Sequence, residues 1–205
     1  MRLYHSPQAP NPERVTNFLK AKGKLGEVDV VEISIMKQEH KTDDYRKVSP
    51  FSQVPSLVLN DGTTLTESRA ICTYFEGIFP DPNLMGADPK EKALIEMWDR
   101  RIELMFFIQF AGWFRNSHPM MAPLEVPQSP EAAAKGEKAA RAMAKRLDAH
   151  LATHDFVAAD RFSIADITLY IAVGFARVMK WEPHKEFEHL GRWHAAMTER
   201  GFAKG

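Results

Sequence analysis

The sequence predicts an α/β unit, strand–helix–strand followed by a hairpin and a helix, joined to an all-helical remainder. Three observations predict it. Strand-like and helix-like segments alternate over the first eighty residues in the order of a βαβ unit. Asn60-Asp61-Gly62 then separates two short strand-like runs, and an Asp-Gly pair there signals a tight hairpin. Beyond Asp88 no strand-like segment remains, and Phe79-Pro80-Asp81-Pro82-Asn83 separates the two halves. The expected division is residues 1–80, a connection over 81–88 and a helical region over 89–205.

Met1 to His5 is a strand candidate, and Ser6 to Pro10 is a loop with two prolines. Asn11-Pro12-Glu13 reads as a helix start, with Asn as cap, Pro at the first helical position and an acid in the first turn. Val15, Phe18 and Leu19 form its apolar stripe, and Lys22-Gly23 ends it. Glu27 to Ile35 alternates as a second strand, expected parallel to the first. Lys37 to Lys47 is charged and suits a short irregular helix. Val54-Pro55 holds the chain extended or turned before the strand Ser56 to Asn60. After the return strand Thr63 to Leu65, Thr66 is placed to cap a helix over Glu67 to Ile78, with Ala70, Ile71, Tyr74, Phe75 and Ile78 inward.

In the second half a long helix starts near Asp88-Pro89. Leu94, Met97, Trp98, Ile102 and Met105 are expected inward, and Glu96, Asp99, Arg100 and Glu103 partly outward. Phe106 to Phe114 is apolar nearly all round, which suits a helix buried on more than one side or lining a cavity. His118 to Pro130 holds four prolines and reads as a loop. Helices follow over Glu131 to Leu151 (Met143, Leu147 and Leu151 inward), Ser163 to Met179 and Lys185 to Arg200. Ser163-Ile164-Ala165-Asp166 resembles a capping box and is read as structural.

Composition excludes several classes. Lys plus Arg number 27 and Asp plus Glu 27, so no global field points to nucleic acid or an anionic membrane. The start MRLYHSPQ carries no apolar signal region, and no apolar run is long enough to span a bilayer. Cys72 is the only cysteine, expected buried and inert, so no intramolecular disulfide, Cys-x-x-Cys pair or cysteine metal site is available. The expectation is a soluble cytoplasmic protein without metal. One stretch carries chemistry. The predicted helix start at Glu67-Ser68 offers amide donors to a carboxylate, while the Glu67 carboxylate can hold an ammonium. Together they suit an amino-acid-like group with both charges.

The order of elements resembles the cytosolic glutathione transferases, which join a thioredoxin-like half to a helical half. Glu39-His40-Lys41 is similar to the E-H-K of their phi-class and related bacterial members. Ser49-Pro50-Phe51-Ser52-Gln53-Val54-Pro55 resembles N-P-F-G-Q-V-P, and Thr66-Glu67-Ser68-Arg69-Ala70-Ile71 resembles x-E-S-R-A-I. Phe156 to Asp166 is similar to the F-[LV]-x-G-D-x-[FP]-[ST]-x-A-D run. The resemblance implies glutathione as co-substrate and a small hydrophobic electrophile as its partner. It implies a homodimer too, with the third and long fourth helices meeting their copies. It implies a cis Val54-Pro55 bond, with Val54 pairing the cysteinyl part of the tripeptide, and Gln53 beside it. Glu67 and Ser68 would hold the γ-glutamyl end, and His40, Lys41 and Gln53 the glycyl carboxylate. Phe106, Phe110, Trp113 and Phe114 could wall the electrophile pocket or form plain core, with Arg115 and His118 facing it.

The thiol must be activated. A free cysteine titrates near ~8.5, and lowering that by about two pH units takes about 2.7 kcal/mol of thiolate stabilisation. One hydrogen bond to a charged acceptor contributes ~1.5–3 kcal/mol, so a single donor suffices. The serine of the phi-like pattern S-x-N/C-x-x-R-V falls on Ala9, which has no hydroxyl. Asn11, two residues on, resembles the asparagine of T-P-N-type bacterial relatives and is the leading candidate. Ser6, Tyr4 and backbone amides are the alternatives. A glutathione-dependent disulfide reductase or peroxidase, and a non-catalytic interaction module of the same fold, remain the rival functions.

Overall fold

The computed structural model describes residues 1–7 and 9–201, so Gln8 of the predicted loop and residues 202–205 of the predicted helical region lie outside the described residues. The described chain forms two compact units, Met1–Leu84 and Met85–Gly201. The first is α/β and the second is helical.

In the first unit β1 (Arg2–His5) is central. It pairs in parallel with β2 (Asp29–Glu32) and antiparallel with β3 (Ser56–Val58), which pairs in turn with β4 (Thr64–Thr66). The β1–α1–β2 connection is the expected βαβ unit, with α1 spanning Pro10–Ala21. Leu3, Val15, Phe18, Leu19, Leu57, Ile71, Cys72 and Phe75 are fully buried and form the core between the sheet and the packed pair α1 and α3 (Ser68–Ile78). The hairpin loop is Asn60-Asp61-Gly62, closed by Leu59 N–H to Thr63 O at 2.8 Å, with Gly62 at φ +88° where a side chain would be strained. A short α2 (Asp43–Val48) is capped by Thr42, whose Oγ1 accepts from Tyr45 N.

Three local expectations are corrected. Helix α1 begins at Pro10, with Ala9 as N-cap, so Asn11 lies inside the first turn and caps nothing. The reason is Pro10, whose fixed φ suits the first helical position and whose ring holds Ala9 extended. Helix α3 begins at Ser68 with Glu67 as N-cap, because Thr66 is committed to the β4 ladder opposite Ser56. Its buried stripe is Ser68, Ile71, Cys72 and Phe75, while Ala70 and Ile78 face outward.

The second unit begins with α4 (Pro89–Arg101), capped by Asp88 Oδ1 accepting from Glu91 N at 2.9 Å. A π-helical stretch (Ile102–Phe107) carries the chain directly into α5 (Ile108–Ser117). Then come α6 (Pro130–Leu151), α7 (Ile164–Phe175), a short α8 (Pro183–Glu186) and α9 (Glu188–Glu199). Phe187 is extended, so the predicted last helix is broken in two. The inward stripe of α4 and the π-helical stretch is Ile95, Asp99, Ile102 and Phe106, and the predicted inward residues Leu94 and Met105 are exposed. Asp99, expected outward, is fully buried and accepts a hydrogen bond from Thr168 Oγ1 at 2.5 Å. That partner on α7 offsets part of the cost of burying the carboxylate. Asp166 is buried as well and accepts from Ser163 N, Ser163 Oγ, Val157 N and Trp193 Nε1, which confirms the capping box and ties α7 to α9. Burial pushes its carboxyl up to about 6, against the opposing effect of these donors.

Candidate functional site

The strand register decides where the candidate residues of the first unit lie. Tyr4 on β1 is opposite Ser56 on β3, which is opposite Thr66 on β4, and His5 pairs with Glu32 on β2. The C-terminal ends of β1, β2 and β4 and the N-terminal end of β3 therefore share one end of the sheet. From that end emerge the connection into α1, the 33–41 segment, the Gln53-Val54-Pro55 turn and the Glu67-Ser68 start of α3. Residues separated by more than sixty positions are thus gathered at one edge.

The Val54-Pro55 bond is cis, as the resemblance implied. The residue before it is held by its main chain. Gln53 O accepts from Tyr45 Oη at 2.8 Å and Ser49 Oγ at 3.0 Å, while its N–H donates to Ser49 Oγ at 3.2 Å. The Gln53 side chain itself is exposed and Val54 is half-buried. Glu67 is exposed at φ +64°, ψ 113°, a conformation that costs a non-glycine residue ~1–3 kcal/mol and that clusters at ligand sites. Ser68 is buried, and its Oγ accepts from Arg14 Nη1 at 3.2 Å. Accepting leaves the hydroxyl proton as a donor. None of residues 68–70 is proline, so the start of α3 keeps its full set of N-terminal amides.

The start of α1 is different. Two of its first three residues, Pro10 and Pro12, have no N–H, and Ala9 N–H is spent on Ser6 O. Asn11 carries the remaining early amide, and its side chain is exposed. Backbone amides, one of the alternatives, are therefore scarce at this turn, and Asn11 has both a main-chain and a side-chain donor there. Ser6 is 4% exposed, leaving its hydroxyl little reach. Tyr4 packs edge-on against Tyr45, ring centroids 5.6 Å apart. Lys41 is exposed. His40 is half-buried with its Nδ1 unpartnered, and burial, then the Lys41 charge, lowers its pKa.

The candidates of the second unit are mostly core. Phe106 and Phe110 are fully buried and Trp113 nearly so, in a cluster with Trp181 and Phe175 at ring separations of 5.4–6.3 Å. These three pack as core, one of the two roles expected for them. Phe114, half-buried, also packs on Phe175. Arg115 is exposed, and its carbonyl accepts from Gln128 Nε2 at 2.7 Å. His118 caps the turn after α5, its Nδ1 accepting from Met120 N at 3.2 Å. A separate cavity of about 320 Å³ is lined by Asp88, Lys90, Glu91, Leu94 and Arg161, none of them a site candidate from the sequence. Among the described residues no group of three or more His, Cys, Asp or Glu is placed to hold a metal, and no helix is long and apolar enough to cross a membrane.

Residues 3–83 match the glutathione S-transferase N-terminal domain and residues 103–201 its C-terminal domain. Glutathione S-transferase 2 of Saccharomyces cerevisiae is 33% identical over 205 residues, covering 100% of this chain and 88% of that protein. The chain belongs to the glutathione S-transferase family. A crystal structure of a glutathione S-transferase domain-containing protein from Marinobacter aquaeolei VT8 superposes with TM-score 0.94 at 35% identity, covering 100% of both chains. Elongation factor 1-gamma 2 of Oryza sativa subsp. japonica is 29% identical over 84% of this chain, which spans 40% of that protein.

Within this glutathione S-transferase fold, sequence reasoning missed the support of the site. Arg14 stood in the quoted pattern without a role, and its burial beneath Ser68 supplies one. Tyr45, Ser49 and Ser56 were passed over as well. The available signal was a lone aromatic in the charged 37–47 stretch, followed by serines flanking Gln53-Val54-Pro55.

Proposed function

We propose that the chain is a glutathione transferase that binds glutathione in its first unit and adds the thiol to a small hydrophobic electrophile. One observation carries the reading: a single end of the sheet presents the cis turn at Val54, the strained Glu67 beside Ser68, and the Asn11 turn. Val54 would pair with the cysteinyl main chain as an added strand. Glu67 would take the γ-glutamyl ammonium, and Ser68 with the α3 amides its carboxylate. Lys41, His40 and the Gln53 side chain would receive the glycyl carboxylate. Asn11 would donate to the sulfur through its side-chain NH₂. A charge-assisted hydrogen bond of ~1.5–3 kcal/mol matches what activation requires. The proton leaves to solvent, eased by the electrostatics of the site.

Calorimetry with glutathione and with its disulfide, followed by an electrophile panel, tests the reading. Glutathione binding with conjugation is the expected result, and Asn11→Ala should raise the pKa of the bound thiol by about one to two pH units. Tight disulfide binding with little conjugation would favour reduction instead. The likeness to elongation factor 1-gamma 2 favours a second reading, a non-catalytic module; no binding of either form of glutathione would establish it over the first.

A further inference from the structure

We propose that Tyr45 is a positioning residue for the glutathione groove, acting through its phenol on the Gln53 carbonyl and so on the aim of the Val54 main chain. The inference rests on the proposed glutathione site. Three hydroxyls converge on Gln53 O: Tyr45 Oη at 2.8 Å, Ser49 Oγ at 3.0 Å and Ser56 Oγ at 3.3 Å. Tyr45 Oη also lies 3.2 Å from Ser56 Oγ. All three side chains are buried, Tyr45 at 4% exposure and both serines at 0%. A carbonyl has two lone pairs, so the shorter bonds from Tyr45 and Ser49 dominate.

Both donors are anchored on α2, Ser49 as its C-cap with its N–H donating to Tyr45 O at 2.8 Å. Tyr45 is seated on α2 and packs edge-on against Tyr4 of the central strand, ring centroids 5.6 Å apart. It therefore refers the position of the turn to the sheet, the rigid body that also sets the start of α3 through the Ser56–Thr66 pairing. Burial raises the phenol pKa, which keeps it a donor at any pH where the enzyme would work. Because Gln53 O belongs to the peptide leading into Val54, a small rotation there re-aims the Val54 N–H and C=O, the two groups an added strand must meet.

Tyr45→Phe keeps the ring and the edge-on contact and removes one oxygen. The expected result is glutathione binding weakened about five- to tenfold by calorimetry, since one buried hydrogen bond is worth up to about a factor of ten. At saturating glutathione, kcat and the KM for the electrophile should stay within about twofold, because no contact to the reacting atoms is lost. Hydrogen exchange at the Val54 amide should quicken in parallel. Ser49→Ala should weaken binding to a like degree, and the double variant by less than the product, because both donors serve one carbonyl. A wild-type chain that takes up no glutathione overturns the functional reading and this inference together. A wild type that binds, beside a Tyr45→Phe variant with lowered Tm but unchanged Kd and unchanged Val54 exchange, overturns this inference alone.

Discussion

Replacing Lys22 by Met should destabilise the protein far more than a helix-end lysine ordinarily would. The Lys22 side chain is 0% exposed, and its ammonium reaches Phe79 O at 2.8 Å, Pro82 O at 2.7 Å and Glu76 Oε2 at 2.7 Å. Those three acceptors match the three N–H bonds of an ammonium. Glu76 is fixed in turn, its Oε1 accepting from Leu84 N at 3.0 Å. Methionine keeps the stem but leaves two carbonyls and a largely buried carboxylate without their cation. Breaking a buried pair by removing one partner costs about 3–5 kcal/mol. For a chain of this length that corresponds to a fall in Tm of roughly 6–20 °C. Thermal unfolding followed by circular dichroism reads it, with Glu76→Gln and the double variant completing a cycle. The double variant should lose less than the sum of the singles, since removing both charges leaves neither stranded. Glutathione affinity at low temperature should be retained, because these contacts lie at the C-terminal end of α3 and Ser68 at its start. A loss below about 1 kcal/mol for Lys22→Met, the level of an exposed ion pair, would refute the reasoning.

The imidazoles of His194 and His184 stack 4.0 Å apart, with Tyr170 on the other face of His194 at 4.9 Å. Burial, then the charges of His184 and Arg177, holds His194 down to about 4, and burial, outweighing the attraction of Glu182, lowers His184 as well. A depressed folded pKa means that protons favour the unfolded chain. The stability is therefore fully present above pH 6.5 and is lost as pH falls from 6.5 toward about 4. His194 is only partly buried, so the loss is ~1–2 kcal/mol after screening rather than the full ~3. Tm measured across that window should fall less steeply in His194→Gln; parallel curves would count against it. Gly136 lets α6 approach α5 closely: a Cβ there would meet Gln109 O at 2.6 Å and Trp113 N at 2.9 Å. Gly136→Ala should therefore lower stability by about 1–3 kcal/mol despite its better helix propensity, and a raised Tm would contradict the reasoning.

What the sequence disclosed follows the range of the forces involved. The Asp61-Gly62 turn, the end of α1 at Gly23, the Asp88 cap and the Ser163–Asp166 box each satisfy their hydrogen bonds within a few residues, and so could be read directly. Asp99 could not, because the periodic pattern assigns a charged residue to solvent and its partner Thr168 lies 69 positions on. Lys22 could not either, since its acceptors are supplied 54 to 60 residues later. Asn11 was located correctly but given the wrong local duty: two prolines compete for the helix start, and the earlier one wins. The motifs around Val54 and Glu67 named residues that the strand pairing gathers at one end of the sheet, whereas the contacts of Tyr45 and Arg14 became legible only once α2 and α1 were packed in place.

The antiparallel pairing of β3 and β4 has a practical corollary. Ser56 and Thr66 mark one tip of this ribbon, and the Asn60–Gly62 loop marks the other. Foreign peptide spliced between Asp61 and Gly62 would project from the far tip of the ribbon. An epitope or fluorophore could thus ride there as a reporter, with the Val54 and Glu67 turns left undisturbed at the opposite pole.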